Sequence, residues 1–288
     1  MPKYIVVPST GGATDTPVFA TALAVARQYD SHLVFLHVRP DVRQEFAALA
    51  ASEVGAVSGI GDTMDRMEQE ADRQEHSAER AWHDFCEREK IAVRAAPPAS
   101  GVTAEWINEV GADDAWIAEY GRGADLVIAG RARAGGTHAI GVLEAALMDT
   151  GRPVLIAPAA APASVGRVVC IAWKDTPEAA SAVNAALPFI AGADRVIILT
   201  VDEGNSEEDR SPERLQKALR WHTQNVLLHR LLLDTRSPAE TMLQAVGRAE
   251  ADLLVMGGYG HTRLREAVFG GFTRHVLERA TLPVLMSH

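Results

Sequence analysis

The chain has 288 residues, enough for two domains that each bury a core, and 47% apolar with 23% charged residues excludes a disordered protein. A formal net charge of −10 argues against nucleic acid or an anionic membrane surface as a partner, because either needs a dense basic face. Two widely separated cysteines, Cys86 and Cys170, fit a reducing compartment rather than a disulfide framework.

In chain order, Met1-Pro2-Lys3 runs straight into the strand-like Tyr4-Ile5-Val6-Val7 without a secretory leader pattern. No apolar run nears the roughly 20 residues that cross a bilayer, so the expected address is the cytoplasm, with no membrane partner. Thr16-Pro17 reads as a helix opening, threonine as cap and proline in the first turn. A second strand spans His32 to Val38. A polar segment from Asp41 to Lys90 follows, with a breaker at Gly55 to Gly61 and a long helix from about Asp62 to Lys90. Trp82 and Phe85 give that helix an apolar edge to pack on the sheet or on another subunit. His83 and Cys86 are spaced as metal ligands can be, but no second pair follows and the face is dense in Arg and Glu, so a solvated face is the better reading. Asp113-Asp114 precedes the helix Ala115 to Tyr120, where capping and dipole interaction explain it better than acid–base chemistry. The strand Leu126 to Ala129, the segment Arg152 to Ile156 and the proline-punctuated linker Pro158 to Ser164 complete the first half.

The second half repeats the first. Ala251-Asp252-Leu253-Leu254-Val255-Met256-Gly257 matches Ala124 to Gly130, and Leu282 to Met286 matches Arg152 to Ile156. The strands Val168 to Ala172 and Arg195 to Val201 answer the first two of copy one, and Thr176-Pro177 answers its helix opening. The offset between equivalent residues falls from 163 at Leu33 to 127 at Leu126, so copy one carries an insertion of 36 residues. Ser237-Pro238-Ala239-Glu240 has the form of a capping box. Short, continuous apolar strands alternating with helices predict two Rossmann-like, doubly wound, five-stranded parallel-sheet α/β domains, at 1–158 and 166–288. A ligand then sits beyond the carboxyl ends of the first and fourth strands, past Ala172 and Met256 in the second domain. Trp173 stands beside that crevice, by default as a wall residue.

At that point the sequence runs Gly257-Gly258-Tyr259-Gly260-His261-Thr262-Arg263-Leu264-Arg265, then Gly270-Gly271-Phe272-Thr273. Glycines so placed let backbone amides reach a phosphate, and a helix from about Gly271 to Ala280 adds its N-terminus. It is neither a Walker A loop nor GxGxxG. Lys174, His261, Arg263 and Arg265 supply cations, which as solvated loop charges need no ligand.

Over essentially its entire length the chain resembles the universal stress protein family in its tandem form, whose fold is that of the adenine nucleotide alpha hydrolases. The resemblance rests on the loop G-x2-G-x9-G-(S/T), which holds ribose and phosphates in ATP-binding members and falls here on Gly257, Gly260 and Gly270. It implies a nucleotide-binding site at Ala172, Lys174, Val201, Met256, Gly257, Gly260, Gly270, Gly271, Phe272 and Thr273. In it the Val201 backbone meets adenine, Ala172 and Met256 line the base pocket, and ATP or another adenine nucleotide is the cofactor, with Mg2+ accompanying it. Gly271 replaces the family's Ser/Thr, and Lys174 stands where an aspartate is common, with Asp175 beside it. In copy one Gly130 survives, Arg133 takes the second glycine position, Ile140-Gly141 answers Gly270-Gly271, and Thr10-Gly11-Gly12 lacks the aspartate. The resemblance gives that copy a structural role, pairing with the other half, with a homodimer as a further assembly.

Three functions stay open at this point. The chain is a non-catalytic stress-response protein binding an adenine nucleotide or other phosphate-bearing small molecule, a weak ATP hydrolase, or a ligand-independent interaction and dimerisation module. No catalytic or metal-binding residue is assigned, since there is no nucleophile elbow and no zinc spacing.

Overall fold

The computed structural model describes the chain except residues 45, 48–59, 94–95, 98–99, 132–136, 203–208, 234 and 259–269. Copy one comprises β1 (Tyr4–Pro8), α1 (Asp15–Tyr29), β2 (His32–Arg39), α2 (Ile60–Glu89), β3 (Ala92–Val93), β4 (Thr103–Val110), α3 (Asp113–Gly123), β5 (Leu126–Ala129), α4 (Thr137–Met148) and β6 (Val154–Ile156). Copy two comprises β7 (Val168–Ala172), α5 (Pro177–Gly192), β8 (Arg195–Asp202), α6 (Ser211–Leu219), β9 (Val226–Leu232), α7 (Pro238–Arg248), β10 (Leu253–Gly257), α8 (Gly271–Arg279) and β11 (Val284–Ser287).

The expected order holds in each copy, with the first and fourth strands adjacent at the centre. The two sheets are not separate, however. β6 and β11 pair antiparallel, Leu155 opposite Leu285, and fuse everything into one 11-stranded sheet ordered β3-β4-β2-β1-β5-β6-β11-β10-β7-β8-β9. The two-residue β3 is an addition at its outer edge. All other pairings are parallel, and the central strands are buried on both faces, which is why they read as unbroken apolar runs.

Alternate residues of each strand feed two cores. Ile5 and Val7 join Phe19, Phe35, Phe85, Ile171, Phe189 and Leu219 under α1, α2, α5 and α6. Val6 joins Ile117, Leu143, Cys170, Met242, Met256 and Val276 under α3, α4, α7 and α8. Both cores run through the two halves, and Tyr29 meets Phe189 edge-on at 5.6 Å across them. The repeated Ala-Asp-Leu explains itself here. Asp125 accepts the Lys3 and Tyr4 amides at the start of β1, and Asp252 accepts those of Gly166, Arg167 and Val168 at the start of β7.

The Thr176-Pro177 opening forms as expected, the threonine hydroxyl accepting the Ala179 amide. Ser237 and Glu240 complete their capping box. Thr16-Pro17 does not open its helix: α1 starts at Asp15, after Thr14, with no side-chain cap. The helix expected from Ala115 already starts at Asp113, after Ala112. The insertion of copy one is largely α2, 30 residues where α6 has nine. Its apolar edge packs on the sheet, Phe85 lying 5.3 Å from Phe19 and 6.1 Å from Phe35, while His83 faces solvent. Burying a ring of this size stabilises by about 1.5–3 kcal/mol.

Candidate functional site

Parallel pairing sets Ala172 beside Met256, so β7 and β10 end together, and α5 and α8 begin close by. Met256 belongs to the extended core on the α7/α8 face, and Ala172, Val201 and Phe272 pack against that same core, with Leu231 beside Val201 in register. Of the residues expected to form the site, Ala172 and Met256 are thus direct neighbours across the β7–β10 ladder.

The glycines divide into two kinds. A Cβ on Gly257 would lie 2.7 Å from the Ala179 nitrogen and 2.8 Å from the Glu178 carbonyl carbon, so strand β10 and the first turn of α5 touch main chain to main chain. Sequence reasoning gave this glycine to a phosphate; the structure gives it first to helix packing. The next amide, Gly258, bonds the Ser287 carbonyl at 2.8 Å and is held by the sheet. Gly270 and Gly271 differ: a Cβ on either would meet nothing within 4 Å among the described residues. Gly270 caps α8 with an extended backbone and no side-chain acceptor, so that among the described residues the first-turn amides of Gly271, Phe272 and Thr273 have no capping side chain. Thr273 is half-buried beside them. Gly260, His261, Arg263 and Arg265 lie outside the described residues, as does Arg133 in copy one.

Beyond β7, Lys174 and Asp175 are exposed, and Asp175 pairs with Arg214 at 3.5 Å. Trp173 turns the other way, into the opposite core, where its indole N–H donates to Ser211 Oγ at 3.0 Å. Ser211 in turn bonds the Asp209 carboxylate, whose pKa is lowered chiefly by the Ser211 backbone amide. Trp173 is thus a wall anchored to the start of α6 rather than a plug. Ser211 and Asp209 were missed in the sequence; the signal was Ser211-Pro212, another helix opening.

Copy one handles the same place differently. Asp15, buried, turns its carboxylate into the β1–α1 loop and accepts Ser9 Oγ, Thr10 Oγ1, and the Thr10 and Gly11 amides at 2.8–3.1 Å. Its counterpart in copy two, Asp175, does none of this. The loop amides that could cradle an anion are therefore occupied by the chain's own anion. Helix α2 lies over the loop: Ser77 Oγ bonds the Gly11 carbonyl, and a Cβ on Gly11, at φ +74°, would meet the Gln74 carbonyl oxygen at 2.5 Å. Arg39, at the end of β2, fastens the helix through Glu68, Asp72 and Glu75 at 2.6–3.2 Å. Gly130 remains close to α1, a Cβ there meeting Val18 at 3.2 Å.

Burial raises the thiols to about 11 for Cys86 and about 12 for Cys170, so neither is a nucleophile at neutral pH. Among the described residues no group of three His, Cys, Asp or Glu could hold a metal, so the Mg2+ expected with a nucleotide finds no protein cluster there. Among them, too, no helix is long and apolar enough to cross a membrane.

Comparison with known proteins agrees with this architecture. The sequence profile of the universal stress protein family matches residues 167–288. No curated protein matches the chain. A universal stress protein from Archaeoglobus fulgidus DSM 4304 superposes with a TM-score of 0.69 at 17% identity, covering 99% of this chain and 95% of that one. A functionally unknown protein from Pseudomonas aeruginosa PAO1 gives 0.55 at 16% identity, covering 99% and 92%. Residues 167–288 form a domain that matches the universal stress protein family profile, and the whole length of the chain carries the fold of those solved structures.

Proposed function

We propose that the second domain, residues 166–288, binds an adenine nucleotide or another phosphate-bearing small molecule at the carboxyl ends of β7 and β10, without turning it over. One observation carries this reading: among the described residues α8 starts without a capping side chain, and it lies over the apolar cluster that Ala172, Val201 and Phe272 pack against and that contains Met256. The cluster suits a base, and the uncapped amides with the positive end of the helix suit phosphate. Among the described residues nothing crowds Gly270 and Gly271, which leaves room for close approach. Lys174 adds a cation where ATP-binding relatives commonly place an aspartate. Replacing a carboxylate by an ammonium removes a candidate base, and Asp175 is engaged by Arg214, which favours binding without hydrolysis. The first domain, 1–158, serves as scaffold, its loop occupied by Asp15.

Isothermal titration with ATP and AMP, on protein stripped of carried-over nucleotide, tests the reading. Saturable heat that Gly271→Asp abolishes, while the melting temperature stays put, is the expected result. No heat from either nucleotide or from inorganic phosphate ends it.

A further inference from the structure

A cavity of about 740 Å³ lies between α1, the end of α2 and the linker that joins the two halves. Small-molecule sites usually measure about 300–1,000 Å³. One wall is a single stripe of α1, Thr16, Ala20, Ala24 and Gln28 at four-residue spacing, kept low by its two alanines. Buried Leu23 and Phe85 give it an apolar floor. The opposite wall is the linker, and it is held in place. Ser164 Oγ bonds the Asp252 carboxylate at 2.6 Å, and Gln28 donates to the Val165 carbonyl at 2.8 Å. Gly166, at φ +87°, lets the chain close on Phe189, where a Cβ would lie 3.0 Å from the ring. A site so built exists before anything binds, which lowers the ordering cost of binding.

The charge around this cavity is the reverse of the molecule's. The chain carries −10, yet among the described residues lining the cavity three guanidiniums, Arg27, Arg88 and Arg167, meet one carboxylate, Glu89. Arg167 is matched outside the cavity by Asp194, at 2.8 Å. Glu89 is shared, accepting Arg27 at 3.0 Å and Arg88 at 3.3 Å. Each guanidinium carries five N–H donors in a planar fork, so one carboxylate leaves this pair with donors and one positive charge to spare. Arg88 also lies over the Phe85 ring at 5.5 Å, which sets its charge at the rim of the apolar floor.

We propose that this cavity binds a small amphipathic carboxylate, its apolar body on Leu23 and Phe85 and its head between Arg27 and Arg88. A single negative charge matches the local excess of one, and a carboxylate fits the guanidinium fork. The floor supplies the burial that an apolar body needs. The site is separate from the one proposed beyond β7 and β10. Arg27 and Gln28 lie in the last turn of α1, Arg88 and Glu89 end α2, and Arg167 leads into β7. These groups therefore stand at the amino ends of the strands, the far end of the sheet from Ala172 and Met256.

Isothermal titration of the full chain with decanoate, kept below its micelle threshold, tests the proposal. Saturable binding is expected, unchanged by excess ATP, whereas decyltrimethylammonium should give none. Arg88→Glu should weaken decanoate by about tenfold or more, the loss of one charge-assisted contact. Arg220→Glu makes the same change in net charge at an exposed arginine outside the cavity and should bind as the wild type does. Ala24→Trp should fill the cavity and abolish binding, with melting temperatures confirming that all three variants fold. No saturable decanoate binding overturns the proposal, as does equal binding of the decyl cation. So does a decanoate affinity that Arg88→Glu leaves unchanged, or that Arg220→Glu lowers as much. Displacement of decanoate by ATP overturns the separate location.

Discussion

Gly257→Ala isolates the close approach between β10 and α5. The added methyl carbon would lie 2.7, 2.8 and 3.1 Å from the Ala179 nitrogen, the Glu178 carbonyl carbon and the Ala179 Cα. All three are main-chain atoms, so no side chain can rotate away and either the strand end or the first turn of α5 must move. Overpacking of this kind costs about 1–3 kcal/mol. At roughly 2–4 °C per kcal/mol for a domain of this size class, the melting temperature should fall by some 2–12 °C. Gly271→Ala is the matched control: a Cβ there meets nothing within 4 Å among the described residues, and α8 gains from replacing a first-turn glycine. Differential scanning calorimetry on both variants reads the contrast. Were Gly257→Ala to melt with the wild type, or no lower than Gly271→Ala, the packing argument would be wrong.

Asp15→Ala should destabilise by about 2–4 kcal/mol in urea unfolding, because it strands the Thr10 and Gly11 amides beneath α2; a loss under about 0.5 kcal/mol contradicts the occupied-loop picture. Arg39→Met should leave the global melting temperature within a few degrees while speeding amide exchange along Glu68 to Ser77, where the helix loses its tether to β2; unchanged exchange refutes that role. Both thiols have folded pKa values above their unfolded ones, so their contribution is complete below the unfolded value near 9 and is lost as pH rises toward about 11 and 12. Unfolding free energy should therefore drop above pH 9, and Cys170→Val should flatten that slope; an identical slope in the variant rejects the assignment.

The strands were legible because both faces of each central strand are covered, which writes burial into the sequence as continuous apolar runs. The duplication was legible for the same reason, reinforced by Asp125 and Asp252, whose bonds to the first-strand amides demand the same residue in each copy. The apolar edge of α2 showed at Trp82 and Phe85. Periodicity does not encode which strand edges meet, so pairing of the two halves was expected without its seam, β6 against β11. The neighbouring ends of β7 and β10 at Ala172 and Met256 followed from the strand pattern. The reason for Gly257 did not, because its nearest neighbours are 78 and 79 residues away in the chain. Asp15 escaped notice because its acceptor role depends on a loop folding back upon it, and a buried carboxylate reads in sequence like any surface one.

The β6–β11 seam also decides how the molecule comes apart. Each of these strands has one flank committed to its own half and the other to its neighbour. A protease nick between Pro158 and Ser164 cuts the covalent thread yet leaves the halves clasped by main-chain bonds and by Tyr29 on Phe189. Either half made alone would present a raw, apolar margin and would seek another copy to cover it, so tandem synthesis works as a safeguard that supplies each half its mate at birth.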